Sequence, residues 1–217
     1  MTEPDASPLS ADEENAATLE GFWSAFSELA ALSSARASGC RQRAVALEVE
    51  HAAWRSDAPS AWNLRYACAV LTGYETLRPV LPVEPAVALL RTAFLQSGAP
   101  VLEKTRAFLD QSPDAFADLV TISKQREAEA FGSGFVFERE RDDDQAYLLN
   151  VRRCFWNDFF ASAGVPELTR VLCEFDRNWF EAIEPERHGL RFERETTLGQ
   201  GGTHCPFHFF RVRPAPA

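Results

Sequence analysis

The chain is short of positive charge: 22 lysines and arginines face 32 aspartates and glutamates, a formal balance of -10. Phosphate backbones are held by basic surface, so nucleic acid is excluded as an expected partner. There is no apolar run of about 18 residues, and hence no expected membrane-spanning helix. The first residues, Met1 to Asn15, are polar and acidic and lack the positive and apolar segments of a secretory signal. Cysteine is scarce and odd in number, five at irregular spacing with no CxxC pair. That is not a disulfide framework, and a reducing cytoplasm is the expected setting. No repeat at a fixed period is visible either.

What is present is apolar material for one substantial core: 46% hydrophobic and 12% aromatic residues over 217 positions. The expected organisation is a disordered tail over 1–15 and a single domain over 16–217. Leu19, Phe22, Trp23, Phe26 and Leu29 form an apolar stripe at helical spacing. A second helical run, broken or bent by Gly39, extends through Trp54. Further helices are expected over Ala61–Leu77, from Glu84-Pro85 to Gly98, from Pro100 to Ser112-Pro113, and over Asp114–Ala130. Gly132-Ser133-Gly134 marks a change of type, and Phe135–Arg141 is expected as a strand. Asp142-Asp143-Asp144 would then be a solvated turn leading into a helix N-terminus. The expected fold class is α+β: a helix-rich N-terminal two-thirds packed on a small antiparallel sheet of Phe135–Arg141, Arg191–Leu198 and Cys205–Val212, with a C-terminal hairpin.

The chemically informative residues fall between Tyr147 and Val212. A helix is expected over Gln145–Ala163, with Leu148, Val151, Phe155 and Phe159 as its core stripe and Gly164 as its stop. Cys154 and Asp158 then lie four apart. A second helix from Pro166-Glu167 carries Leu168, Leu172, Phe175, Trp179 and Ile183 inward and sets Cys173 three residues from Asp176. Along the last strand, Cys205, Phe207, Phe209 and Arg211 share one side, opposite His204, Pro206, His208, Phe210 and Val212. His204 and Cys205 therefore diverge, so a base or orienter for Cys205 is expected from another element, Asp176 first. Arg194 is expected to hold a substrate carboxylate. The glycine-rich 199–202 segment has no phosphate-loop lysine and is expected as a hairpin turn. Cys40 and Cys68 are expected to pack, and His51 and His188 to lie on the surface.

Several of these stretches together resemble the L-2-amino-thiazoline-4-carboxylic acid hydrolase family. They are Cys154-Phe155, Gly164-Val-Pro-Glu-Leu168, Cys173-Glu-Phe-Asp176, Phe192-Glu-Arg-Glu-Thr-Thr-Leu-Gly199 and Gly202-Thr-His-Cys205-Pro-Phe207. The resemblance implies hydrolytic opening of a cyclic amidine to a carbamoyl-cysteine. Gln200 and Pro206 depart from the family pattern beside the expected pocket. The closing strand is also similar to the end of vinyl-reductase-type small-ligand-binding domains.

Three functions follow as alternatives, all with a small-molecule ligand. In a cysteine-dependent hydrolase, Cys205, Asp176 and Cys173 would be catalytic, with Arg194, Cys154, His204 and Thr197 binding substrate and no cofactor needed. A metal-dependent variant would use Cys154, Cys173, Asp176 and Cys205 as ligands, with His204 or His208 in reserve. A non-catalytic sensor would merely line its pocket with the same thiols.

Overall fold

Residues 11–129 form six α-helices, with proline or glycine at the joints that follow Leu77. The computed structural model describes residues 11–212. Helix α1 (Ala11–Leu29) and α2 (Ser34–Glu50) are followed by a 3-10 turn at Ala52–Trp54. Then come α3 (Ala58–Leu77), α4 (Val83–Ser97), α5 (Ala99–Gln111) and α6 (Ala115–Glu129). Residues 11–15, assigned above to a disordered tail, are helical, and Asn15 accepts the Tyr66 hydroxyl at 2.8 Å. Met1–Ser10 lie outside the described residues. Gly39 does not break the helix, because α2 runs through it. The start of α3 is a capping box: Asp57 accepts from the Ser60 N–H at 2.8 Å, and the Ser60 hydroxyl side receives the Asp57 N–H at 2.8 Å.

The second half departs from expectation at its centre. Residues 145–163 are not one helix. Ala146–Arg153 is a strand, β2, and only Phe155–Ser162 is helical, as α7. The alternation of buried Tyr147, Leu149 and Val151 is the strand signal, and it overlaps a three-four spacing through Leu148, Val151 and Phe155. Asp142-Asp143-Asp144 consequently turns a β-hairpin between β1 (Val136–Asp142) and β2 instead of starting a helix; Asp143 accepts the Gln145 and Ala146 N–H groups. The second expected helix is also divided, into a 3-10 turn at Pro166–Leu168, α8 (Thr169–Phe175) and α9 (Arg177–Phe180). A one-turn α10 (Pro185–His188) leads into β3 (Leu190–Glu193), and β4 (Cys205–Arg211) ends the fold.

The four strands form one antiparallel sheet in the order β1-β2-β4-β3. Register places Val151 opposite Cys205, Leu149 opposite Phe207 and Tyr147 opposite Phe209. These side chains form the buried face, and the class is α+β with a helix-rich part packed on a small sheet. Tyr147, Leu149, Leu190 and Phe209 pack with Leu109, Phe116 and Leu119 of α5 and α6. A larger cluster joins Phe22, Phe26, Leu64, Leu90 and Phe94 to Phe155, Phe159, Leu172 and Cys205. The hairpin β3–β4 is present, but its connection spans 194–204, not the tight glycine turn expected, and contains a 3-10 turn at Leu198–Gln200. Among the described residues, no helix is long and apolar enough to cross a membrane.

Candidate functional site

The long connection between β3 and β4 folds back over α8, and glycine eases the approach. A Cβ on Gly199 would stand 3.0 Å from Thr169 Cγ2 and 3.1 Å from Cys173 Sγ. Contacts that short require the neighbours to give by a few tenths of an ångström, so glycine eases the close approach of the segment to Cys173. Gly201 closes the turn at φ +86°, in the left-handed region that favours glycine.

This close approach gathers sulfur. The Leu198 N–H donates to Cys205 Sγ at 3.1 Å. The Gly199 N–H and the Thr197 hydroxyl both stand against the Cys173 thiol, and each favours its thiolate. Cys154 caps the start of α7, one residue after β2, and is near enough to Cys173 and Cys205 to feel their charge. It is thus not four residues along a helix shared with Asp158, whose carboxylate accepts from Arg153 at 2.7 Å. All five cysteines are unpaired. Burial dominates the acidity of the three clustered thiols: it pushes Cys205 up to about 11, and raises Cys173 and Cys154 as well. At neutral pH the three thiols of the resting protein are protonated.

Arg194 leads out of β3 and is held on every side. Its Nη1 donates to Asp176 Oδ2 at 2.6 Å, and its Nη2 to the Cys173 carbonyl at 2.9 Å. Phe180 and Phe207 flank the guanidinium at 5.2 and 5.3 Å from their ring centres. A guanidinium carries five N–H donors, so these two bonds leave others for a ligand. Asp176 sits at the junction of α8 and α9 and also accepts from Trp179 Nε1 at 3.3 Å. Burial raises its pKa, while Arg194 and Trp179 oppose that shift. Its carboxylate is committed to orienting Arg194.

Beside these groups opens a cleft of about 230 Å³, lined by Glu174, Arg177, Phe180, Phe192, Arg194, Thr197 and Gln200. Thr197 forms the wall between this cleft and Cys173. It is buried, and its hydroxyl has no hydrogen-bond partner of regular geometry. Such a group costs free energy unless something binds it. Glu174 accepts from Arg91 at 3.0 Å and from Arg177 at 3.4 Å.

Of the residues expected at the site, Cys154, Cys173, Cys205, Asp176, Arg194 and Thr197 converge, with Arg194 and Thr197 facing the cleft. His204 does not line it, and its ring pairs with the neighbouring Thr203 hydroxyl at 3.1 Å. His208 lies on the other face of the sheet, 3.2 Å from Asn150 Oδ1. His188 is not on the surface: it is buried, bonded to Asp110 at 3.0 Å and to the Glu184 N–H at 3.0 Å. Among the described residues, no set of three or more His, Cys, Asp or Glu side chains is placed to hold a metal ion. Gln200, expected beside the pocket, does line the cleft, whereas Glu174, Arg177, Phe180 and Phe192 were not expected as lining residues. Their only sequence signal was nearness to Cys173, Asp176 and Arg194.

No curated protein and no solved structure matches the chain. A family profile does match, over residues 62–209, spanning α3 to β4 and including every group of the cleft. The match covers most of the chain, and the protein therefore belongs to the L-2-amino-thiazoline-4-carboxylic acid hydrolase family.

Proposed function

We propose that the protein hydrolyses a cyclic amidine, of the type of L-2-amino-thiazoline-4-carboxylate, to a carbamoyl-cysteine by chemistry that depends on cysteine. The observation that carries this reading is the pairing of an anchored guanidinium, Arg194, with a buried hydroxyl that has no partner of regular geometry, Thr197, in one cleft beside the Cys173 thiol. Arg194 takes the substrate carboxylate, and Thr197 bonds the amidine edge. Asp176 positions Arg194. Cys154 completes the buried sulfur cluster that backs the site.

Sequence alone favoured Cys205 as nucleophile. The cleft favours Cys173, since it is half-buried behind Thr197 whereas Cys205 is buried. The Cys173 thiol adds across the C=N bond of the ring, its sulfur bonding to the amidine carbon and its proton passing to the ring nitrogen. The bond from that carbon to the ring sulfur then breaks, and the freed sulfur takes a proton from the exocyclic nitrogen. Water adds to the enzyme-bound isothiourea, expelling the Cys173 sulfur as a thiol and leaving the urea carbonyl. Because the thiol begins protonated, the substrate nitrogen serves as its base. Cys205 acts through position: by accepting the Leu198 N–H it fixes the turn that holds Thr197 and Gly199 against Cys173.

The test is release of free thiol from L-2-amino-thiazoline-4-carboxylate by the purified full chain, followed with a thiol reagent. Turnover by the parent is expected, with none by Cys173→Ser and reduced turnover by Cys205→Ser. Undiminished turnover by Cys173→Ser sinks the assignment.

The raised thiol pKa values also suit a second reading, a small-molecule sensor lined with unreactive thiols. It predicts saturable binding of the same carboxylate with no thiol released. For either reading, unpaired cysteines suit a reducing compartment such as the cytoplasm.

A further inference from the structure

A second cleft, of about 330 Å³, lies between α2 and the end of α3, away from the thiol cluster. Its lining includes Arg36, Gly39 and Cys40 from one helix and Thr72, Glu75 and Thr76 from the other. The family profile begins at residue 62, so one wall comes from chain outside the match. That volume lies at the lower end of the range for small-ligand sites.

Three observations indicate a ligand. First, Gly39 sits in the middle of a helix, where glycine is unfavourable, and no neighbour requires it. A Cβ built there meets nothing within 4 Å. Its effect is to leave the cleft open. Second, Thr72 is among the lining residues though only 1% exposed, and its buried hydroxyl has no hydrogen-bond partner. Threonine in a helix can bond to the carbonyl four residues back, as Thr76 does to Thr72 at 2.8 Å; Thr72 itself does not. Third, Arg36 is the cation not already committed. Arg43 is held by Glu75 and Glu50 at 3.1 and 2.7 Å, whereas the Arg36 guanidinium has no acidic partner among the described residues.

We infer that this cleft is a second binding site, for a small monocarboxylate held by the Arg36 guanidinium and the Thr72 hydroxyl. The planar fork of arginine matches a carboxylate. Glu75 at the rim disfavours a dianion such as phosphate.

The probe is acetate, titrated into the full-length isotope-labelled chain and followed by amide chemical shifts. Saturable shifts are expected at Gly39, Thr72 and Thr76, with inorganic phosphate at least tenfold weaker. Arg36→Met should weaken acetate binding at least tenfold, and Gly39→Leu should abolish it by filling the mouth. Thr72→Val should weaken binding while leaving the melting temperature no lower, since it removes a buried unpartnered hydroxyl. The inference is overturned if acetate moves none of these amides, if phosphate binds equally well, or if any of the three variants binds like the parent.

Discussion

Replacing Arg194 by methionine tests the anchor of the site most sharply. The side chain of Arg194 is 10% exposed and that of Asp176 29%, so the substitution strands a largely buried carboxylate. Breaking a fully buried pair in this way costs about 3–5 kcal/mol. The residual exposure of Asp176 moves the expectation to roughly 2–3 kcal/mol, including the lost contacts of the guanidinium with Phe180 and Phe207. In urea this is a midpoint shift of about 1–1.5 M for an m value near 2 kcal/mol/M. The pH dependence has a definite sign. Without Arg194 the folded-state pKa of Asp176 rises further above its unfolded value, so the folded chain binds the proton more tightly than the unfolded one. Stability of the variant therefore falls as pH rises through that window, and its deficit against the parent should shrink from pH 8 to pH 5. Adding Asp176→Asn should recover about half the loss at pH 8, because no charge is then left buried. Urea melts of the parent, Arg194→Met and the double mutant at both pH values form the assay. A single variant within about 0.5 kcal/mol of the parent at pH 8, or a double mutant no better than the single, refutes the reasoning.

Other outcomes follow from the same geometry. Peptide-resolved labelling of Cys205 in the folded chain should be slow at pH 7 and rise about tenfold per pH unit toward its pKa of about 11; rapid labelling at pH 7 contradicts the burial argument. Thr197→Val should leave urea stability unchanged or slightly raised, while kcat/KM falls by roughly tenfold or more. Burial tends to raise the Asp57 carboxyl, but the Ser133 and Ser60 N–H groups outweigh it and hold it at about 2. Its folded pKa is depressed, so its stabilisation is full above the ordinary carboxylate range and is lost as pH falls toward 2. Asp57→Ala should accordingly cost about 1–2 kcal/mol at pH 7 and much less near pH 2, in paired urea melts.

The helical half was legible because its punctuation is local. Pro82, Gly98, Pro100 and Pro113 stand at or beside the observed joints, and each acts through its own backbone. The centre of the sheet was not legible in the same way. Tyr147, Leu149 and Val151 alternate, but Leu148, Val151 and Phe155 also satisfy a helical period, and only the neighbouring strands decide between them. Cys173 and Asp176 stay close for a different reason: only Glu174 and Phe175 stand between them, whatever follows. The aromatic cleft walls were hidden because Phe180 and Phe192 have no distinguishing chemistry until the connection folds back over α8. His188 was misjudged since the burying partner, Asp110, lies 78 positions away.

The central claim is that substrate becomes bonded to a thiol beside Arg194 and Thr197. Quenching the full chain during turnover of L-2-amino-thiazoline-4-carboxylate, then digesting it for peptide mass analysis, tests this directly. The account predicts a mass increase equal to one substrate on the peptide bearing Cys173. Turnover with every cysteine peptide unmodified, or with the adduct on Cys205, would contradict it.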